Sequence, residues 1–264
     1  MIQHNSAGIT HGIRYHHDEG LNGMCPITCC LFSNYLNQIV MTTKNYSKRV
    51  ATEAGFERTR ENMAEFERAA RSGKLLTDAF RAIVDSASDS RQTARMSRAM
   101  SKVIKSDKLN ARGQRKVSDG DLQLLRGFDF NVAAKLTTVF FPPYTASIDR
   151  ATGTLKVDIP AFISSKMLKA PRNTTHFSVV CGAAEVNFNT GIQKGANTAT
   201  AELAYGKEAT QLISLSNVLT PNSTEALFLV LGVTFYQYVN GEYYTLNNGA
   251  YNAVSIIQVD VPNP

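Results

Sequence analysis

The 264-residue chain contains no tryptophan, so its core must rest on phenylalanine, tyrosine and the aliphatic residues. Cysteine is scarce: Cys25, Cys29 and Cys30 cluster near the N-terminus and Cys181 stands alone. That is not a disulfide framework. A reducing compartment is the simpler setting, with a disulfide-free secreted protein equally compatible. No apolar run reaches the roughly 18 residues that a membrane-spanning helix needs. The first apolar stretch, 27–31, is short and follows one arginine and two acids, which argues against a signal peptide and leaves the location open.

Catalytic vocabulary is also missing. The chain holds no G-x-S-x-G, phosphate-binding glycine loop, dinucleotide fingerprint or H-E-x-x-H. Beyond residue 40 there is one histidine, His176, and one cysteine, Cys181. They are five apart in an expected strand, so alternation sends them to opposite faces and a dyad within the strand is not expected. Cys181, flanked by Val179, Val180 and Gly182, reads as a buried small hydrophobe. A carboxylate pair assembled in space leaves no motif, so a glycosidase stays open. The expectation is a protein that is not an enzyme and needs no cofactor or metal.

What is present is unevenly spread. Residues 1–40 carry one base and two acids, 41–120 carry 18 bases and 10 acids, and 121–264 carry 9 bases and 10 acids. All the excess positive charge of the chain therefore sits in its second segment, which suits a polyanion or a charge-complementary protein surface. Residues 1–40 hold four of the five histidines and show no helical or alternating period. They are read as an extension, with Met41 as the natural start. His16-His17 and Cys25-x3-Cys29-Cys30 offer soft ligands for zinc or copper, but the spacing fits no zinc template.

Helical spacing runs from about 51 to 116. Phe56, Met63, Phe66 and Ala70 mark one apolar face, Gly73 punctuates, and Leu75, Leu76, Ala79, Phe80, Ile83 and Val84 form a second stripe. Asp89 is the expected N-cap of a third helix. On that helix Arg91, Arg95, Arg98, Lys102 and Lys105 lie within about 80° of one another, opposite Met96, Met100, Val103 and Ile104. Nine bases and one acid, Asp107, occupy 91–116. Such a stripe fits a nucleic-acid footprint, a solvated face, or pairing with Glu61, Glu65 and Glu67 of a neighbouring helix. No aromatic residue in 91–116 provides a stacking platform, so contact between subunits is favoured over nucleic acid.

After Asp119-Gly120 the pattern becomes that of strands: 136–141, 146–148, 154–159, 175–181, 185–188, 198–205, 210–215, 227–239 and 253–261. Gly232 marks an expected bulge. Asn240-Gly241 is a two-residue hairpin turn, which sets Val239 opposite Glu242, Tyr238 opposite Tyr243 and Tyr236 opposite Thr245. Tyr236, Tyr238 and Tyr243 then share a face that either stacks on sugars or holds the sheet together, the latter favoured, at about 0.2–1 kcal/mol per pair.

Four stretches, Gly55-Phe-Glu-Arg-Thr-Arg-Glu-Asn-Met-Ala-Glu-Phe66, Asn110-Ala-Arg-Gly-Gln-Arg115, Leu124-Leu-Arg-Gly-Phe-Asp-Phe-Asn131 and Leu227-Phe-Leu-Val-Leu-Gly-Val-Thr-Phe-Tyr-Gln237, resemble an uncharacterised family of Bacteroidota proteins. The resemblance covers about 41–261, excludes 1–40, and implies no activity and no site. The expected architecture is α+β: an extension (1–40), a basic helical region (41–120) and an antiparallel β-sandwich of Ig-like or jelly-roll-like type (121–264). The leading functional expectation is a structural, self-assembling protein forming homo-oligomeric contacts. A carbohydrate- or surface-binding module and a nucleic-acid binder are the alternatives.

Overall fold

A computed structural model of the chain describes residues 46–87 and 89–262. The metal reading of His16, His17 and the three clustered cysteines, and the start at Met41, lie outside these residues. Ala54–Pro264 form one compact unit. It is an α+β fold with a helical region followed by nine strands, all paired antiparallel. Among the described residues no helix is long and apolar enough to cross a membrane.

The strands are β1 (Thr145–Asp149), β2 (Thr154–Ile159), β3 (His176–Asn187), β4 (Ile192–Ala199), β5 (Leu203–Ala204), β6 (Ile213–Val218), β7 (Ala226–Val239), β8 (Glu242–Thr245) and β9 (Ala253–Asp260). One sheet has the order β1-β2-β6. The other runs β4-β3-β7-β8, with β5 on β3 and β9 on β7. Leu155, Val157 and Ile159 alternate with Lys156 and Asp158, and they bury against the larger sheet together with Ile213 and Leu215. From the larger sheet Phe177, Val179, Cys181, Leu229, Leu231, Val233 and Phe235 meet them. This is the sandwich core.

The larger sheet has a second buried face. Ala184, Val186, Phe228, Val230, Val254 and Ile256 pack against the helices α1 (Glu57–Ala79) and α2 (Gln92–Ser106) and their link, through Leu76, Phe80, Ile83, Met96 and Met100. Strand β7 is therefore buried on both sides from Ala226 to Phe235. That is why its sequence is a continuous apolar run and does not alternate.

Several local expectations are corrected. The stretch 136–141 is a single helical turn, Leu136–Val139, whose first N–H donates to the Asp129 carboxylate (3.1 Å), followed by an isolated bridge at Phe140. Its β-branched residues favour a strand locally, but the Asp129 contact holds a turn. The segments 175–181 and 185–188 merge into the single strand β3. Strands expected at 198–205 and 210–215 are shifted, to β4, β5 and β6. The bulge lies at Leu229/Val230 opposite β9, and Gly232 sits in regular register against Val180 and Val254. Helix α1 runs straight through Gly73, where a Cβ would stand 2.9 Å from Met96 Cγ, so the glycine lets α2 approach.

The face of α1 also differs. Glu65, Ala69, Ser72, Gly73 and Leu76 point inward, whereas Met63 and Phe66 are 60% and 63% exposed. Glu65 tolerates burial because it accepts the Gly113 N–H (2.9 Å) and faces the Arg115 guanidinium. The loop after α2 thus folds back over α1 and takes the place of an apolar contact.

The C-terminal end of α1 lies against the edge strand β4. A Cβ at Gly195 would press into the carbonyl oxygen of Ala79, a backbone atom that cannot swing away. Gly195→Ala should therefore cost about 1–3 kcal/mol in urea denaturation. Gly206→Ala, with nothing within 4 Å and no positive φ, should stay within about 0.5 kcal/mol. Equal effects at the two positions would contradict the seating of the helix on β4.

Candidate functional site

Helix α2 presents the basic stripe, but its five members do different things. Asp89 accepts the N–H of Arg91 (2.7 Å) and of Val132 (2.9 Å) and the guanidinium of Arg95. It stands two residues ahead of the helical N-cap, Arg91, and closes an Asx turn there. Burial pushes the Asp89 carboxyl up, but these hydrogen bonds outweigh it and hold its pKa below the ordinary value. Arg95 also donates to the carbonyls of Asp129 (2.6 Å) and Phe130 (2.8 Å), and its guanidinium lies 5.3 Å from the Phe128 ring centroid. Arg95 is thus an internal clamp, and its place in a binding stripe is withdrawn.

Arg91, Arg98, Lys102 and Lys105 remain exposed. The side chains of Arg98, Lys102 and Lys105 make no hydrogen bond or ion pair among the described residues. The acids expected to neutralise the stripe are engaged elsewhere: Glu61 faces Arg112 (3.4 Å), Glu65 holds the 113–115 turn, and Glu67 pairs with Arg71 (2.7 Å). Met63 and Phe66 of α1 are exposed, and Phe66 stands across the cleft between the helices from Lys105. Phe66, Ser101 and Lys105 share one hollow of about 370 Å³. The sequence marks Met63 and Phe66 as core, so this apolar-and-basic surface is legible only once Glu65 is known to be buried.

The tyrosine hairpin has the expected register, Val239↔Glu242, Tyr238↔Tyr243 and Tyr236↔Thr245. Asn240 (φ 53°) and Gly241 (φ 91°) supply the positive dihedrals of a type I′ turn. His176, paired with Tyr236 across β3 and β7, joins the cluster, a role that sequence spacing does not reveal. Its ring centroid is 5.0 Å from that of Tyr243 and 5.6 Å from that of Tyr238, and Tyr238 and Tyr243 are 4.8 Å apart. The Tyr236 hydroxyl meets Ser178 Oγ at 3.3 Å. Tyr238 and Tyr243 keep just under half of their surface in solvent. The rings therefore serve one another first, as cross-strand aromatic pairs do.

His176 and Cys181 stand on opposite faces of β3. Cys181 is fully buried in the sandwich core, with its sulfur 3.4 Å from Asn217 Nδ2. Burial pushes the thiol pKa up to about 12. Among the described residues no group of three or more His, Cys, Asp and Glu side chains is placed to hold a metal ion. No family model matches the chain, and no curated protein is significantly similar to it.

Two outcomes follow from these environments. Arg95→Gln strands two carbonyls and a partly buried carboxylate and should lower stability by about 2 kcal/mol or more. Arg98→Gln and Lys102→Gln should stay within about 0.5 kcal/mol. Comparable losses at all three would mean that Arg95 is an ordinary surface residue. Thiol reagents followed by peptide mass mapping should label Cys181 slowly in the native protein and fast in denaturant. Rapid native labelling at neutral pH would contradict the burial of Cys181 in the sandwich core.

Proposed function

We propose that this is a non-enzymatic assembly protein that associates with a second copy of itself through the outer face of its helical layer. The observation that supports the proposal is exposed Phe66 on α1 beside unpaired Lys105 on α2, with Met63 exposed on the same helix as Phe66 and unpaired Arg98 and Lys102 exposed on the same helix as Lys105. Water-facing apolar side chains of this size next to unneutralised charge are what an unfilled interface looks like. The occupant is argued from charge. Helix α1 also exposes Glu57 and Glu67, the latter held only by an exposed pair to Arg71 one turn away, which is weak and exchangeable. A two-fold contact centred on Phe66 brings the α1 acids of one copy towards the α2 bases of the other.

Sedimentation at increasing protein concentration tests this. The wild type should form dimers or larger species. Met63→Gln with Phe66→Gln should return it to monomer with an unchanged melt. Arg98→Gln, Lys102→Gln and Lys105→Gln together should weaken association. A strictly monomeric wild type at high concentration sinks the proposal. Tight, salt-sensitive nucleic-acid binding lost in the triple variant would transfer the surface to a polyanion.

A second reading, a carbohydrate-binding hairpin, draws on the part-exposed rings of Tyr238 and Tyr243. Glycan-array binding abolished by Tyr238→Ala would favour it over assembly.

A further inference from the structure

The opposite flank of α1 carries a second positive surface, and this one is concave. A cleft of about 500 Å³ opens between α1, the segment at Lys116-Val117 and the turn joining β3 to β4. Four cations converge on it: Arg68, Arg71 and Lys74 along α1, and Lys116 from a segment more than forty residues away in sequence. The one carboxylate in its wall, Asp78, is engaged by Arg81 at 2.7 Å. The side chains of Lys74 and Lys116 have no hydrogen-bond or ion-pair partner among the described residues. Arg68 donates one Nη to the Gly113 carbonyl, but its Nε–H is buried without a partner.

The cleft is held in shape. Lys116 is placed by its own N–H donating to Asp107 (2.9 Å). Asp107 is buried and also accepts from Leu109 N (2.8 Å), Asn110 N (3.1 Å) and Asn110 Nδ2 (2.9 Å). Burial raises the Asp107 pKa, but this set of donors outweighs it and holds the group at about 2, so the anchor stays ionised at neutral pH. The remaining wall mixes apolar Leu75, Val117 and Phe188 with polar Ser72, Asn189 and Thr190; Phe188 is partly buried, edge-on to Phe228 at 6.1 Å.

From this we infer that the cleft is a binding site for a small phosphorylated organic molecule. Its phosphates would be held by Arg68, Lys74 and Lys116, and its planar or apolar part would lie against Val117 and Phe188. Arg71 is paired with Glu67 at 2.7 Å, which leaves Arg68, Lys74 and Lys116 as cations of the cleft without a carboxylate partner, and a multiply charged anion offsets their mutual repulsion. The volume is in the range of small-molecule sites, and an aromatic wall has no use for a bare inorganic ion.

Calorimetric titration of the full chain with ATP and with inorganic tripolyphosphate, at low salt, tests the site. ATP should bind with a sub-millimolar Kd and more tightly than tripolyphosphate. Lys74→Gln with Lys116→Gln should weaken ATP by at least about tenfold. Both lysines are exposed, so the melt should not change, and a thermal scan checks that. Arg98→Gln with Lys102→Gln, on the other flank, should leave ATP binding as it was. No heat at millimolar ATP overturns the proposal, as does equal weakening by the two pairs of substitutions, which would indicate diffuse attraction. ATP binding no tighter than tripolyphosphate overturns the assignment to an organic ligand.

Discussion

Strand β7 has no face for water between Ala226 and Phe235, and that constraint organises the fold. A strand buried on both sides needs a covering layer on each. The three-stranded sheet covers one face and α1 with α2 covers the other. Without the helices Phe228, Val230, Val254 and Ile256 would face solvent, at about 1.5–3 kcal/mol for each large side chain. The partner strand β3 shows the same constraint in small residues. Gly182 and Ala184 lie on its helix-facing side, where Phe80 and Ile83 of the helical link come down onto that stretch, while Ala183 between them faces the sandwich core. The basic helical region is thus half of the protein's core as well as the carrier of its charge.

What the sequence discloses depends on how local the determining interaction is. The hairpin at Asn240-Gly241 and the alternating strand β2 are set by neighbours in the chain, and both are read correctly to the residue. The inner face of α2 is also plain, because Met96, Met100, Val103 and Ile104 recur at helical spacing and all bury. Helix α1 misleads. Its most regular apolar row contains Met63 and Phe66, yet its buried row contains Glu65, made tolerable by a turn some fifty residues further on. The same distance hides the clamp on Arg95, whose partners come from Asp89, Phe128, Asp129 and Phe130. It hides His176 in the tyrosine cluster and the convergence on Lys116, since both need the strand pairing or the path of a loop.

The positive charge divides accordingly. Of the bases in 91–116, Arg95 is turned inward, Arg112 faces Glu61 and hydrogen-bonds Asn62 (2.9 Å), and Arg115 reaches towards Glu65. These bind the 107–116 loop and the Phe128–Asn131 segment to the helices, and in doing so they spend the charge internally. That segment has a further duty: Gly127, Phe128 and Phe130 exchange backbone hydrogen bonds with Val254 and Ile256 along the outer edge of β9. The longest C-terminal edge is therefore capped by the chain itself, which disfavours strand addition there and moves the weight of any assembly contact to the helical face.

Two charged areas border α1. Ala70, Gly73 and Thr77 face α2, while Arg68, Ser72 and Leu75 line the cleft at the β3–β4 turn, and Arg71, Lys74 and Asp78 border both. One runs along the α1–α2 cleft, flanked by exposed apolar side chains, and suited to a protein surface. The other is recessed, with two unpaired lysines and the partly buried Phe188 in its wall, and suited to a small anion. A ligand in the second would draw on Arg71 and loosen its pair with Glu67, freeing an acid on the first. The two surfaces are coupled through α1, where Arg71, Lys74 and Asp78 border both.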